Sequence, residues 1–238
     1  MARKAARKTK SERKASAAPP RGTSDRAKAT DALMELLTEH SFEQIGLAEV
    51  AGRAGIKLSA LRAEFGSTLS IYAAHIKDID NIVLDGGDAD MAEEPRRERL
   101  FDVEMRRLEA LAPYKDAVRS IMRSARRNPG LALALNAMAV RSQQWMLTSA
   151  GIGASGPKGM VRAQGLALLF ANVLRTWVDD DDDGSRTLAA LDRELARGQR
   201  FAGLLDDLCR IPEAACNLRQ RMRRSRRGRR DRDDRVAV

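Results

Sequence analysis

Between Lys57 and Ala63 the sequence reads KLSALRA. The positions expected to face outward combine two cations, Lys57 and Arg62, with one hydroxyl, Ser59, and two small residues, Ala60 and Ala63. Cations hold phosphates by charge, so this set suits contact with a nucleic-acid groove, and it equally suits a plain solvated helix face. Ser67 and Thr68 extend it by two hydroxyls a few residues on. A second set is apolar: Met138, Trp145, Met146, Met160, Leu169, Phe170, Val173 and Trp177. Methionine and tryptophan make adaptable walls, so these residues are candidates for the lining of a small apolar pocket. The same spacing also suits plain core packing, and Phe170 and Trp177 could equally sit in a dimer interface.

Other chemistries find little support. His40 and His75 are the only histidines, and neither falls in a catalytic order with a serine or cysteine. There is no phosphate-binding loop of the Walker type, no dinucleotide fingerprint and no metal-ligand set, so neither an enzyme nor a cofactor is expected. Cys209 and Cys216 lack a second pair or a nearby histidine and read as reduced thiols of a cytoplasmic protein. The aspartate run at 179–183 lacks the alternating ligands and closing glutamate of a calcium loop. It reads as an acidic loop that helps start the next helix, with Ser185 as N-cap.

The groove-contact set must be carried by LAEVAGRAGIKLSALRAEF, Leu47 to Phe65. Leu47, Val50, Ala51 and Ala54 recur at helical spacing, Gly55 stands where a helix C-terminus favours positive φ, and Leu58, Leu61 and Phe65 restart the period. That pattern is a helix-turn-helix. It needs flanking apolar faces, which Ala32, Leu33, Leu36 and Leu37 supply before it and Leu69, Tyr72, Ile76, Ile79 and Val83 after it.

The chain has 238 residues, 43% of them hydrophobic and only 4% aromatic. Leu, Ala, Arg and Glu dominate without sustained period-two alternation, which predicts an all-α fold. The formal charge of +10 is unevenly placed. Residues 1–28 hold ten basic and two acidic side chains, and residues 213–238 hold ten and four, while residues 29–80 hold four and eight. The helix-turn-helix module is therefore acidic, and any strong phosphate attraction would come from the tails. Residues 1–24 lack Leu, Ile, Val and Phe, which excludes the apolar core of a secretory signal and gives the composition of a disordered basic arm, suited either to follow a DNA backbone or minor groove or to serve only as a solubilising tail.

The acidic, turn-rich stretch from Asp85 to Glu94 separates a module at 25–84 from a second helical domain at 95–212 for ligand binding and dimerisation. Helices are expected over 95–111, with Pro95 as the first residue, then over 114–127, 131–150, 157–178 and 187–209, with the 131–150 helix central and buried. The apolar run GLALLFANVL is bracketed by Arg162 and Arg175 and falls short of the roughly 18 apolar residues of a membrane span. Residues 213–238 form an Arg-rich tail expected to be disordered and able to bind polyanions.

The span Ala29 to Ala74 resembles the DNA-binding domain of TetR-type transcriptional regulators, through its aliphatic first helix, the Phe42 and Ile45 elbow, LAEVAGRAGI, and Leu61, Phe65, Gly66 and Ser67. The resemblance implies a three-helix helix-turn-helix module whose third helix enters the major groove. It also implies a larger helical domain that binds a small apolar or amphipathic effector, homodimerisation through two C-terminal helices, and a palindromic double-stranded operator released when the effector binds. The chain departs from the family pattern at Gly46 and Lys57, which replace hydroxyl residues as helix caps, at Arg62 in place of an aromatic, at Glu64 in place of a histidine and at Thr68 in place of a lysine.

Residues 99–201 are similar to the C-terminal half of the lipid-binding accessory protein of ubiquinone biosynthesis, in LFDVEMRRLEALAPYKDAVRSIMR, QQWMLTSAGI and the order of Trp177, the aspartate loop and TLAALDREL. That family implies the same fold without DNA binding, an isoprenoid lipid in the helical core and work at a membrane surface.

Overall fold

The computed structural model describes residues 24–87, 91, 93–181 and 183–200. The basic arm, the Arg-rich tail, Cys209 and Cys216 lie outside the described residues. The described chain is helical and contains no strand: α1 (Asp25–Glu39), α2 (Leu47–Ala54), α3 (Leu58–Glu64), α4 (Thr68–Asp85), α5 (Arg96–Leu111), α6 (Lys115–Arg127), α7 (Pro129–Ser149), α8 (Gly156–Trp177) and α9, helical over 185–200.

Each early boundary has a local cause. The Ser24 hydroxyl accepts from the Ala27 N–H and opens α1. Gly55 closes α2 at φ 64°, with its N–H on the Gly52 carbonyl and the Ile56 N–H on that of Ala51. This left-handed cap turns the chain sharply into α3. Ser67 and Ser70 cap α4 reciprocally: the Ser67 hydroxyl accepts from the Ser70 N–H, and the Ser70 hydroxyl accepts from the Ser67 N–H. The N-caps of α2 and α3, Gly46 and Lys57, offer no side-chain acceptor.

The first core joins Leu33, Leu36 and Leu37 of α1, Val50 and Ala51 of α2, Leu61 of α3 and Ile71 of α4 to Ala117 and Ile121 of α6. The module therefore rests on the second domain. Two hydrogen bonds reinforce the seat, from the Phe42 N–H to Ser124 Oγ (3.2 Å) and from Ser120 Oγ to the His40 carbonyl (3.1 Å). A second core gathers Leu108, Val118, Leu147, Phe170, Val173, Trp177, Leu191 and Leu195. A third, smaller core packs Ile79 and Val83 of α4 on Val103 and Met146. Helix α4 thus belongs to two cores, its first turns to the helix-turn-helix module and its last to the larger helical part.

Three local expectations are corrected. Pro95 is the N-cap of α5 and the helix begins at Arg96. Helix α7 is not buried throughout: Leu133 is 73% and Trp145 55% exposed, because only the side bearing Leu131, Ser142, Gln143, Met146 and Leu147 is covered by neighbouring helices. The start of α9 is held by Asp180 rather than Ser185, since the Asp180 carboxylate accepts from the Thr187 N–H (2.7 Å), the Thr187 hydroxyl (2.6 Å) and Arg186 Nε (2.8 Å). The Thr187 hydroxyl first and Arg186 next hold the Asp180 carboxyl well below the usual carboxylate range.

Candidate nucleic-acid interface and ligand cleft

Helix α3 buries Leu61 and leaves Lys57, Ser59, Arg62 and Ala63 exposed, with Ala60 half-buried. Those five positions therefore lie along the uncovered side of one helix. Ser67 is spent on the α4 cap, and the Thr68 hydroxyl donates to the Ile45 carbonyl at 3.4 Å, which fixes α4 against the elbow. Arg26 lies over the Phe65 ring at 5.2 Å and secures the end of α3 to α1.

The module's charge is partly cancelled internally. Arg53 makes a double hydrogen bond to Glu39, Nη1 to Oε1 at 2.9 Å and Nη2 to Oε2 at 2.7 Å, with Glu35 Oε2 at 3.7 Å. The Arg53 guanidinium holds the Glu39 carboxyl below its ordinary value. Arg53 is thus a clamp between α1 and α2, and Lys57 and Arg62 remain the cations on the α3 face, with Glu64 beside them.

The eight apolar candidates divide between cleft, core and surface. A cleft of about 400 Å³ opens between α4 and α7, lined by Ala73, Ile76, Lys77, Asp80, Asn81, Leu84, Met138, Arg141, Ser142 and Trp145. It takes Met138 and Trp145. Met146 is fully buried in the third core, and Phe170, Val173 and Trp177 are buried in the second. Leu169 is half-buried, close enough to α9 that a Cβ at Gly198 would meet it at 2.9 Å. Met160 stands 52% exposed on α8. The division follows from α7 packing directly on α8 and on α5, with Leu100 and Leu108 of α5 in one core with Phe170 and Val173 of α8.

Behind the cleft lies a polar cluster that the sequence reading does not name. Asp80, which lines the cleft, accepts from Ser142 Oγ at 2.5 Å and faces Arg107 Nη2 at 3.7 Å. Arg107 lies over the Phe170 ring at 4.8 Å. Gln143 Nε2 donates to Glu104 Oε2 at 3.4 Å, and both side chains are fully buried. Desolvation pushes the Glu104 carboxyl up to about 7, opposed mainly by Arg107, and it also raises Asp80. His75, equally buried, meets the Tyr114 ring edge-on at 4.5 Å. The signal lay in phase: Leu100, Glu104, Arg107 and Leu111 follow one another at helical steps along one face of α5, so two charges stand in an apolar stripe.

Among the described residues no group of three or more His, Cys, Asp or Glu side chains could hold a metal ion, and no helix is long and apolar enough to cross a membrane.

No protein-family model matches the chain, and no curated protein sequence matches it. Solved structures do. A TetR transcriptional regulator from Nitrosomonas europaea ATCC 19718 superimposes with a TM-score of 0.58 at 20% identity, over 73% of this chain and 97% of that one. A TetR transcriptional regulator from Rhodococcus sp. RHA1 gives 0.53 at 19% identity, over 74% and 95%. The fold is that of TetR-type regulators, all-α, with an N-terminal helix-turn-helix module seated on a larger helical domain.

Proposed function

We propose that this chain is a non-enzymatic, cytoplasmic transcriptional regulator of the TetR type. It binds double-stranded DNA as a homodimer on a palindromic operator and is released by a small apolar or amphipathic effector. The observation that carries the reading is the helix-turn-helix: α2 and α3 are joined by the left-handed Gly55 cap, and the uncovered side of α3 bears Lys57, Ser59, Ala60, Arg62 and Ala63. The effector would lie in the cleft between α4 and α7, whose α4 wall leads directly to the DNA module. The dimer is supported by apolar side chains left uncovered on α8 and α9: Met160, Val161, Leu168 and Leu188 are each about half exposed.

A second reading is favoured by the acidic surface of the module, where Arg53 is consumed by Glu39 and Glu64 stands among the groove-facing residues. In that reading the fold serves a lipid-binding accessory protein of ubiquinone biosynthesis, and basic tails touch an anionic membrane. DNA binding measured against salt separates the two, using genomic fragments with the full chain, a chain lacking residues 1–21 and a Lys57→Ala, Arg62→Ala variant. The regulator reading expects the shortened chain to keep its preference for one fragment and the double variant to bind every fragment more weakly. Affinity that disappears with the arm, uniformly across fragments and steeply with salt, is polyelectrolyte attraction alone and moves the lipid reading to the front.

A further inference from the structure

We propose that the cleft between α4 and α7 takes an anionic amphiphile, whose acidic head group is held by Lys77 and Arg141 while its chain lies on Ile76, Met138 and Trp145. The proposal rests on the effector reading above and names the chemical class of that effector.

The rim supplies the first argument. Lys77 and Arg141 line the cleft, both are exposed, and neither has an ion-pair partner among the described residues. The one acid in the lining, Asp80, already accepts from Ser142 and faces Arg107. The interior supplies the second. Arg107 is only 6% exposed, yet its Nε and Nη1 have no hydrogen-bond partner among the described residues, and neither do Glu104 Oε1 and Gln143 Oε1. None of these three residues lines the cleft, so the cluster acts on it through Asp80, the lining residue that faces Arg107.

The sign of the charge selects the class. Arg107 faces Asp80 at 3.7 Å and offsets the one acid of the lining. Lys77 and Arg141 are then in excess. A carboxylate or phosphate neutralises the rim. An alcohol leaves the rim cations unpaired, and a quaternary ammonium is repelled by both of them. The rest of the lining, Ile76, Leu84, Met138 and the half-exposed Trp145, gives an apolar wall for a chain.

The chain has two tryptophans, and Trp177 sits in the core, so a Trp177→Phe protein reports on the cleft through Trp145 alone. Dodecanoate, dodecanol and dodecyltrimethylammonium are titrated into this full-length protein below their micelle concentrations. Dodecanoate is expected to bind at least tenfold more tightly than dodecanol, and the ammonium is expected not to saturate. A Lys77→Met, Arg141→Met variant, altered only at exposed unpaired positions, should lose at least fivefold for dodecanoate and keep its dodecanol affinity. Equal binding of dodecanol or of a neutral polyprenol, or a double variant with an unchanged preference, overturns the head-group assignment while leaving the cleft an effector site. Fragment-specific DNA binding with no Trp145 response to any of these probes also overturns it and leaves the regulator reading standing. Saturable dodecanoate binding in a protein that shows no fragment preference sustains the ligand class and removes the regulator.

Discussion

Ser142 on α7 donates a 2.5 Å hydrogen bond to Asp80 on α4, and both residues are buried. The bond lies between a wall of the cleft and the helix whose first turns pack in the helix-turn-helix module, so it links the spacing of α4 and α7 to the seat of that module. Asp80 also faces Arg107, which has no other carboxylate within ion-pair reach among the described residues. Replacing Asp80 by Ala strands that buried guanidinium and is expected to cost roughly 3 kcal/mol or more in urea denaturation. Ser142→Ala removes one hydrogen bond and should cost about 1 kcal/mol. A smaller loss for Asp80→Ala than for Ser142→Ala would show that Arg107 does not depend on Asp80.

Glu104 gives the fold a pH dependence of definite sign. Its carboxyl, with Asp80 and Arg107 the charged groups acting on it and Gln143 its hydrogen-bond partner, is pushed from 4.5 up to about 7, so the folded state holds a proton that the unfolded chain releases. The stabilisation that goes with this proton is fully present below pH 4.5, is lost as pH rises toward about 7, and does not return above it. The full penalty is on the order of 3 kcal/mol. Glu104→Gln cannot ionise, so its unfolding free energy should stay flatter than that of the parent between pH 5 and about 8. Parallel profiles for the two proteins would mean that Glu104 is ionised in the folded state throughout.

The helix-turn-helix was legible because its information is local: apolar spacing from Leu47 to Phe65, a glycine at the one position with φ 64°, and two flanking apolar stripes. The cleft was not. Periodicity says that Phe170, Val173 and Trp177 share a helix face but not whether that face meets a cavity or another helix, and here they meet α5, α6 and α9. Arg107 and Glu104 stand in phase with Leu100 and Leu111 on α5, and Asp80 sits next to Ile79 in the stripe of α4. Polar residues at core phase were the readable trace of a buried cluster. Two side chains, Met138 and Trp145, reached the cleft from the apolar set because α7 leaves their side toward α4 uncovered.

Gly55 joins the two helices of the motif with its backbone in the left-handed region, and a Cβ there would meet nothing within 4 Å. The cost of Gly55→Ala is therefore conformational rather than steric crowding. It should amount to about 1–2 kcal/mol, read as a lowered Tm, with the α3 side chains unchanged in type. An unchanged Tm would indicate that α2 ends without the left-handed cap.

On the α3 face, charge and position set two opposed outcomes for DNA affinity. Arg62 is exposed, so Arg62→Ala should weaken binding to every fragment and reduce the slope of log affinity against log salt by about 1, as loss of one phosphate contact does. Glu64, two residues on and also exposed, repels the same phosphates, so Glu64→Gln should strengthen binding and leave the ranking of fragments intact. Fluorescence anisotropy across a salt series measures both. Arg53→Ala serves as the contrast: its guanidinium is already engaged by Glu39, so its loss should leave the salt slope unchanged even if the α1–α2 clamp loosens. A fall in slope for Arg53→Ala, matching that for Arg62→Ala, would place α2 rather than α3 against the phosphates.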